Sequence, residues 1–154
     1  MSTPHMKPKT WRYENTVTWQ GEKKGVLSAA GKPDVRVATP PEFRGHPGIW
    51  TPEDMFLASV NCCIMTTFLY FADRMHIELV SYRSTAEGTV ASQPDGLLFT
   101  EVTVKPHVTV ASEEDREKAQ EALERSENSC LISRSIQTEV AVQARVDADK
   151  GQGN

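Results

Sequence analysis

The sequence predicts an α+β fold with antiparallel sheets. Three features support this class: an uncharged helical segment near the middle, alternating strand-like segments on both sides of it, and a charged amphipathic helix near the end. The chain has 154 residues, of which 38% are hydrophobic. We therefore expect one globular domain over residues 11–146, with a flexible arm at 1–10 and a flexible tail at 147–154.

The first strands precede the central helix. Residues 11–19 alternate large and polar side chains and predict a strand, and a charged turn at 20–25 allows residues 26–29 to return as a second strand. Residues 35–38 predict a third short strand. Two prolines then begin a loop, EFRGHPGIW, that leads into the helix.

The central helix is predicted from Thr51 to Arg74. Thr51 is a suitable N-cap, Pro52 suits the first helical position, and acidic residues follow in the first turn. Apolar and small side chains surround the whole helix axis, which predicts a buried central helix. We do not expect it to span a membrane, because Asn61 and several hydroxyl groups interrupt it. One small domain cannot easily cover such a helix, so we expect a homodimer that shares two of them.

The second half of the chain predicts a hairpin, a helix and a last strand. The hairpin strands are residues 81–90 and 98–110, with the turn QPDG between them and Pro106 indicating an edge or a bulge. Ser112 begins an amphipathic helix that ends near Glu127. Its buried stripe is expected to be Ala119, Ala122, Leu123 and Ser126. The SENS run should loosen this helix, and a short apolar element at 130–132 precedes a final strand at 135–146.

Charge and cysteine content exclude several classes. The net charge of −4 gives no indication of nucleic-acid or anionic-membrane binding. The sequence contains three cysteines and no paired Cys or His spacing, so neither a disulfide scaffold nor structural zinc is expected. No targeting or transmembrane segment is visible, and we expect a cytoplasmic protein without metal or cofactor. A disulfide in this chain would then be a redox event.

The adjacent residues Cys62 and Cys63 point about 100° apart on a helix. Cys63 lies about 80° around the axis from Glu53, whereas Cys62 lies on the opposite side from that carboxylate. Only Cys63 can therefore share a site with Glu53. Both cysteines could instead be small core residues, which is common for free thiols.

The loop before the helix contains Arg44 and His46. A guanidinium near a buried thiol favours the thiolate and makes it a nucleophile at neutral pH. The alternative is that Arg44 is solvated and that the loop glycines merely turn the chain. His46 has no second residue spaced to form a metal site with it.

The run TPEDMFLASVNCC, in which Pro-Glu precedes Cys63 by ten residues, and the later CLISRSI resemble the OsmC/Ohr family of thiol peroxidases over residues 11–146. The resemblance implies an intertwined homodimer that reduces organic hydroperoxides with a pair of cysteines. It assigns Cys63 as the peroxide-attacking thiol, Cys130 as the resolving thiol, and Glu53 as the carboxylate that positions an arginine. We assign that arginine to Arg44, with Lys24 as the fallback.

Two departures from the family pattern concern this site. Many members have Cys-Pro where this chain has Cys130-Leu131, and the glycine-arginine turn of one subgroup is replaced by GEKKG. Besides a peroxidase re-reduced by an external, lipoamide-like dithiol, two alternatives remain. One is a weakly active relative that binds small apolar ligands or senses oxidants. The other is a Cys hydrolase or acyl transferase, although His46, His76 and His107 show no recognised spacing for a base.

Overall fold

The computed structural model describes residues 6–150, and the predictions made for residues 1–5 and 151–154 lie outside this range. The chain divides at the Pro52–Glu53 bond into two compact units. Residues 6–15 of the first unit form no regular secondary structure and are exposed.

The first unit contains an antiparallel sheet of β1 (Thr16–Trp19), β2 (Lys24–Ser28) and β3 (Val35–Ala38) in that order. The predicted hairpin and third strand are confirmed. The prediction that β1 begins at residue 11 is wrong, because Thr16 already pairs with Ser28, the last residue of β2. The chain turns after Ser28, with the Lys32 N–H donating to Ala29 O. Because β2 ends there, residues 11–15 have no strand opposite them with which to pair.

The helix α1 (Pro52–Arg74) begins and ends where the sequence predicts. Its fully buried residues form a single stripe at intervals of four residues, namely Val60, Ile64, Phe68 and Ala72. On the other faces Leu69 and Tyr70 are 38% and 55% exposed. The prediction of burial on every side is therefore wrong for one chain, because the sheet of the second unit covers only one face of α1.

By length and composition α1 could also cross a bilayer, since its most apolar window has a mean hydropathy of 1.7. Core helices of soluble proteins share this property. The stripe from Val60 to Ala72 packs against strands of the second unit, which makes α1 a core helix of that unit.

The second unit is built on a long hairpin of β4 (Leu79–Gln93) and β5 (Gly96–Val110), which confirms and lengthens the predicted strands. Beyond β5 lie β6 (Val140–Val142) and β7 (Arg145–Ala148), both parallel to it. β5 is thus a central strand, and the prediction that Pro106 marks an edge or bulge is wrong. The predicted single strand at 135–146 is also wrong, and the predicted tail starts too early, since Asp147 and Ala148 belong to β7.

Pro106 explains why the last strand is divided. Val102 donates its N–H to Glu139 O at 3.2 Å, and Val104 O accepts the N–H of Gln143 at 2.9 Å. Even-numbered residues of β5 therefore direct their backbone groups toward β6 and β7, and Pro106 has no N–H to offer there. The parallel pairing stops at Val104 and resumes at His107, on either side of this position.

The helix α2 (Glu113–Ser129) starts at the predicted N-cap, where Ser112 Oγ accepts the N–H of Asp115 at 3.1 Å. The predicted buried stripe of Ala119, Ala122, Leu123 and Ser126 is confirmed. The prediction that the SENS run loosens this helix is wrong, because Ser126 donates its hydroxyl to Ala122 O at 2.6 Å and stays helical. A short helix α3 (Leu131–Arg134) follows after Cys130.

Two apolar clusters stabilise the second unit. One joins the end of α1 to α2 and β7. The other joins the middle of α1 to β5 and contains Val60, Ile64, Val102, Val104 and Cys130. Cys63 and Ile132 pack against this second cluster, which brings α3 to the middle of α1.

Candidate functional site

Cys63 and Cys130 lie side by side, although 67 positions separate them in the sequence. Cys63 is half-buried on α1 and Cys130 is wholly buried at the junction of α2 and α3. Cys130 is both the C-cap of α2 and the N-cap of α3, with φ −61° and ψ 115°. This extended conformation turns the chain so that the first residues of α3 lie against Cys63.

The surroundings of Cys63 favour the thiolate. Partial burial raises the pKa of this thiol, but the backbone N–H groups of Ile132 and Leu131, the Cys130 thiol and the Thr67 hydroxyl together hold the pKa below its ordinary value. The Thr67 oxygen lies 3.9 Å from the Cys63 sulfur. Backbone N–H groups at a helix start can stabilise a thiolate and lower its pKa, because no carbonyl within the helix accepts them.

The surroundings of Cys130 favour the protonated thiol. Burial raises the pKa of Cys130, and the neighbouring Cys63 sulfur raises it further, although the Ser133 hydroxyl and N–H act in the opposite direction. Cys63 is thus the more readily ionised thiol of the pair, while Cys130 keeps its proton more firmly and donates it toward the Cys63 sulfur. A nucleophile with an adjacent neutral thiol is the arrangement that dithiol chemistry requires.

Glu53 lies in the first turn of α1. Its Oε2 atom is buried and has no hydrogen-bond partner among residues 6–150. A buried carboxylate oxygen without a partner is costly, so this position suits a cationic group.

Arg44 lies in the first unit, after a 3₁₀ turn at Pro41–Phe43. Its backbone is left-handed, with φ 60°, and its N–H donates to Pro41 O at 3.0 Å. The next residue must be glycine, because a Cβ on Gly45 would lie 1.7 Å from Thr39 O. The backbone thus fixes the direction in which the chain leaves Arg44.

Lys24, the fallback cation, forms an ion pair with Glu22 at 2.6 Å in the same unit. His46 also lies 3.6 Å from that carboxylate. Lys24 and His46 therefore already face an acidic group. Within residues 6–150 no cluster of three His, Cys, Asp or Glu side chains could hold a metal ion.

Comparison with known proteins identifies the family. The model of the OsmC-like protein family matches residues 45–145, which include Cys63, Glu53 and Cys130. The chain belongs to the OsmC-like family. It is 27% identical over 138 residues to the uncharacterized protein YmaD of Bacillus subtilis (strain 168), a match that spans 86% of this chain and 91% of YmaD.

Solved structures confirm the OsmC-like fold. An OsmC-like protein of unknown function from Vibrio cholerae superposes with a TM-score of 0.81 at 19% identity, covering 88% of this chain and all of that one. An organic hydroperoxide resistance protein OsmC from Legionella pneumophila gives a TM-score of 0.66 at 21% identity, covering 90% and 99% of the two chains. The predicted α+β, OsmC-like fold is thereby confirmed.

Cys62 is exposed in this OsmC-like chain, whereas the helix pattern suggested a core residue. It lines a cavity of about 180 Å³ with Met65 and Tyr82. Helix geometry predicted that Cys62 and Cys63 lie on different faces of α1, and their different exposures agree with this. It did not show which face of α1 the sheet covers.

The candidate site contains groups to which the sequence assigned no role, namely Thr67 and the first three residues of α3. Helix periodicity places Thr67 on the same face as Cys63, one turn later, but does not show that its hydroxyl acts on the thiol. Treating Cys130 as an N-cap could have identified Ser133 beside it, since an N-cap side chain faces the N–H groups two and three residues later. No local signal connects Leu131 and Ile132 to Cys63.

Proposed function

We propose that this OsmC-like protein is a Cys-based peroxidase that reduces organic hydroperoxides. The Cys63 thiolate attacks the outer oxygen of the peroxide, the O–O bond breaks, and the alkoxide takes a proton and leaves as an alcohol. Cys63 is then a sulfenic acid. Cys130 attacks its sulfur, forming the Cys63–Cys130 disulfide and releasing water, and an external dithiol reduces this disulfide.

The observation that carries this proposal is the pairing of a thiol of lowered pKa, Cys63, with a buried thiol of raised pKa, Cys130. The chemistry needs a nucleophilic thiolate and a second thiol within reach of it. The Legionella relative of the same fold, an organic hydroperoxide resistance protein, supports the substrate class.

Apolar residues around the pair favour an alkyl hydroperoxide over hydrogen peroxide. Phe56 stacks on Phe99 with ring centroids 4.5 Å apart, and both pack against the cluster that holds Cys130. Such surfaces bind alkyl or aryl groups through the hydrophobic effect.

The proposal is tested by adding one equivalent of cumene hydroperoxide to the reduced protein and counting free thiols. The three thiols of each chain should fall to one, and a lipoamide-like dithiol should restore them. If all three thiols remained, the peroxidase function would be refuted. A hydrolase or a binder of small apolar ligands would then have to be tested.

We further propose that a guanidinium, Arg44, pairs with Glu53 and faces both thiolate and peroxide. The buried and unpartnered Oε2 of Glu53 motivates this role. Arg44→Ala should raise the pKa of Cys63 and slow the peroxide reaction, and Glu53→Ala should slow it by misplacing the arginine. Titration of thiolate absorbance measures the first effect. An unchanged titration in Arg44→Ala would remove Arg44 from the site and direct attention to Lys24.

We also propose that the protein is an obligate homodimer. The partly exposed apolar faces of α1, with Leu69 and Tyr70 among their residues, are surface that one chain leaves uncovered. Light scattering at micromolar concentration should give about twice the 17.1 kDa mass of the chain. A folded, stable monomer under these conditions would contradict the proposal.

A further inference from the structure

Ser133 is the third residue of α3, and Cys130 is the N-cap of the same helix. The N-cap and the third helical residue lie on the same side of a helix start, which is why capping-box contacts form between them. Cys130 itself makes no side-chain capping hydrogen bond here. The Ser133 hydroxyl oxygen is buried and has no hydrogen-bond partner among residues 6–150. A buried hydroxyl without such a partner is costly, so its presence in this position needs an explanation.

The first residues of α3 divide their donors between the two sulfurs. The N–H groups of Leu131 and Ile132 act on Cys63. The N–H and the hydroxyl of Ser133 act on Cys130. Ser133 is thus the one residue of α3 whose side chain interacts with the second thiol and not the first.

We propose that Ser133 is a positioning residue for the second thiol, whose hydroxyl controls closure of the Cys63–Cys130 disulfide and leaves the attack by Cys63 unaffected. The inference rests on the proposed function of this cysteine pair. The test of this inference uses no peroxide, so the role of Ser133 and the proposed peroxidase function can fail separately.

The proposed control follows from the charges around Cys130. Its neighbours in the cluster from α1 and β5 are apolar, namely Val60, Ile64, Val102 and Val104. The titratable group that acts on it is Cys63, and while Cys63 is an anion its charge holds the proton on Cys130. Oxidation converts Cys63 into a neutral sulfenic acid and removes that charge. The Ser133 hydroxyl and N–H then remain to stabilise the Cys130 thiolate as it forms the new S–S bond.

The test uses the aromatic disulfide dithiobis(nitrobenzoate) and a Cys62→Ser background, so that the exposed third thiol does not react. Cys63 attacks the reagent first, releasing one coloured thiolate and forming a mixed disulfide. Cys130 then displaces the second coloured thiolate and closes the Cys63–Cys130 disulfide. The two releases report the two cysteines separately.

In Ser133→Ala the first release should stay within about twofold of the parent rate, and the second should slow by about tenfold. Its thermal midpoint should not fall, because the lost hydroxyl makes no other bond. Ser135→Ala is the matched control: the Ser135 hydroxyl is exposed and donates to Leu131 O at 2.7 Å, so both releases should keep the parent rates.

A second pair of variants separates the hydroxyl from side-chain volume. Ser133→Thr and Ser133→Val have the same shape, and only Thr keeps the hydroxyl, so the second release should be about tenfold faster in Thr than in Val. Equal second-release rates in this pair, or an equal slowing of both releases in Ser133→Val relative to Thr, would overturn the inference. If cumene hydroperoxide left all thiols intact while the second release still depended on the hydroxyl, the peroxidase proposal would fail and the role of Ser133 would stand.

Discussion

Replacing Cys63 with Ser should reduce the consumption of cumene hydroperoxide to the level seen without protein, whereas Cys62→Ser should keep the full rate. A serine hydroxyl at this position remains protonated, so the donors that favour the Cys63 thiolate have no anion to stabilise. Cys62 lies about 100° away around α1 and is exposed. Peroxide consumption measured with a dithiol reductant in both variants decides between the two thiols.

Peptide mapping after one equivalent of hydroperoxide extends this test. The main cross-linked product should join Cys63 to Cys130, and Cys62 should remain reduced. Cys130→Ser should still react once with peroxide and then hold a sulfenic acid that a sulfenate-specific label captures. A main product that joins Cys62 to Cys130, or full activity in Cys63→Ser, would contradict the assignment of the nucleophile.

The elements defined by local signals were predicted closely. The bounds of α1 follow from Thr51-Pro52 and the charged end at Arg74, and the buried stripe of α2 follows from helix periodicity. Both depend on residues within a few turns of one another.

Two of the errors lie where a distant neighbour decides the structure. Residues 135–146 were predicted as one strand, but the absent N–H of Pro106 on the neighbouring strand divides the pairing into β6 and β7. The uniform apolar character of α1 likewise did not reveal that the sheet covers the face of Val60 and leaves Cys62 exposed.

The candidate site divides in the same way. Helix geometry distinguished Cys63 from Cys62, and the family resemblance directed attention to Cys130. The amides of Leu131 and Ile132 could not be assigned to the Cys63 sulfur from the sequence, because this contact joins α3 to α1. The two cysteines that mark these places are 67 positions apart. Every residue except proline also has a backbone N–H, so no residue type in the sequence identifies such a donor.

Leu131→Pro offers a direct test of that backbone donor. Proline has no N–H, so this substitution removes one of the four groups that lower the pKa of Cys63. The position tolerates proline: Leu131 is the first residue of α3, where proline is favoured, and Cys130 has the extended backbone that proline requires before it. The Leu131 side chain is 65% exposed, so little packing is lost.

The expected result is a raised Cys63 pKa and a slower reaction with cumene hydroperoxide below that pKa, by about tenfold, because a hydrogen bond to a charged group contributes about 1.5–3 kcal/mol. Above the pKa the thiol is ionised in both proteins, and the rates should converge or favour the variant, since a more basic thiolate is a better nucleophile. Leu131→Ala keeps the N–H and should retain the parent pH profile. Coinciding profiles for the Pro and Ala variants, with matching circular dichroism spectra, would show that the Leu131 amide does not support the thiolate and would leave that role to Ile132, Thr67 and Cys130.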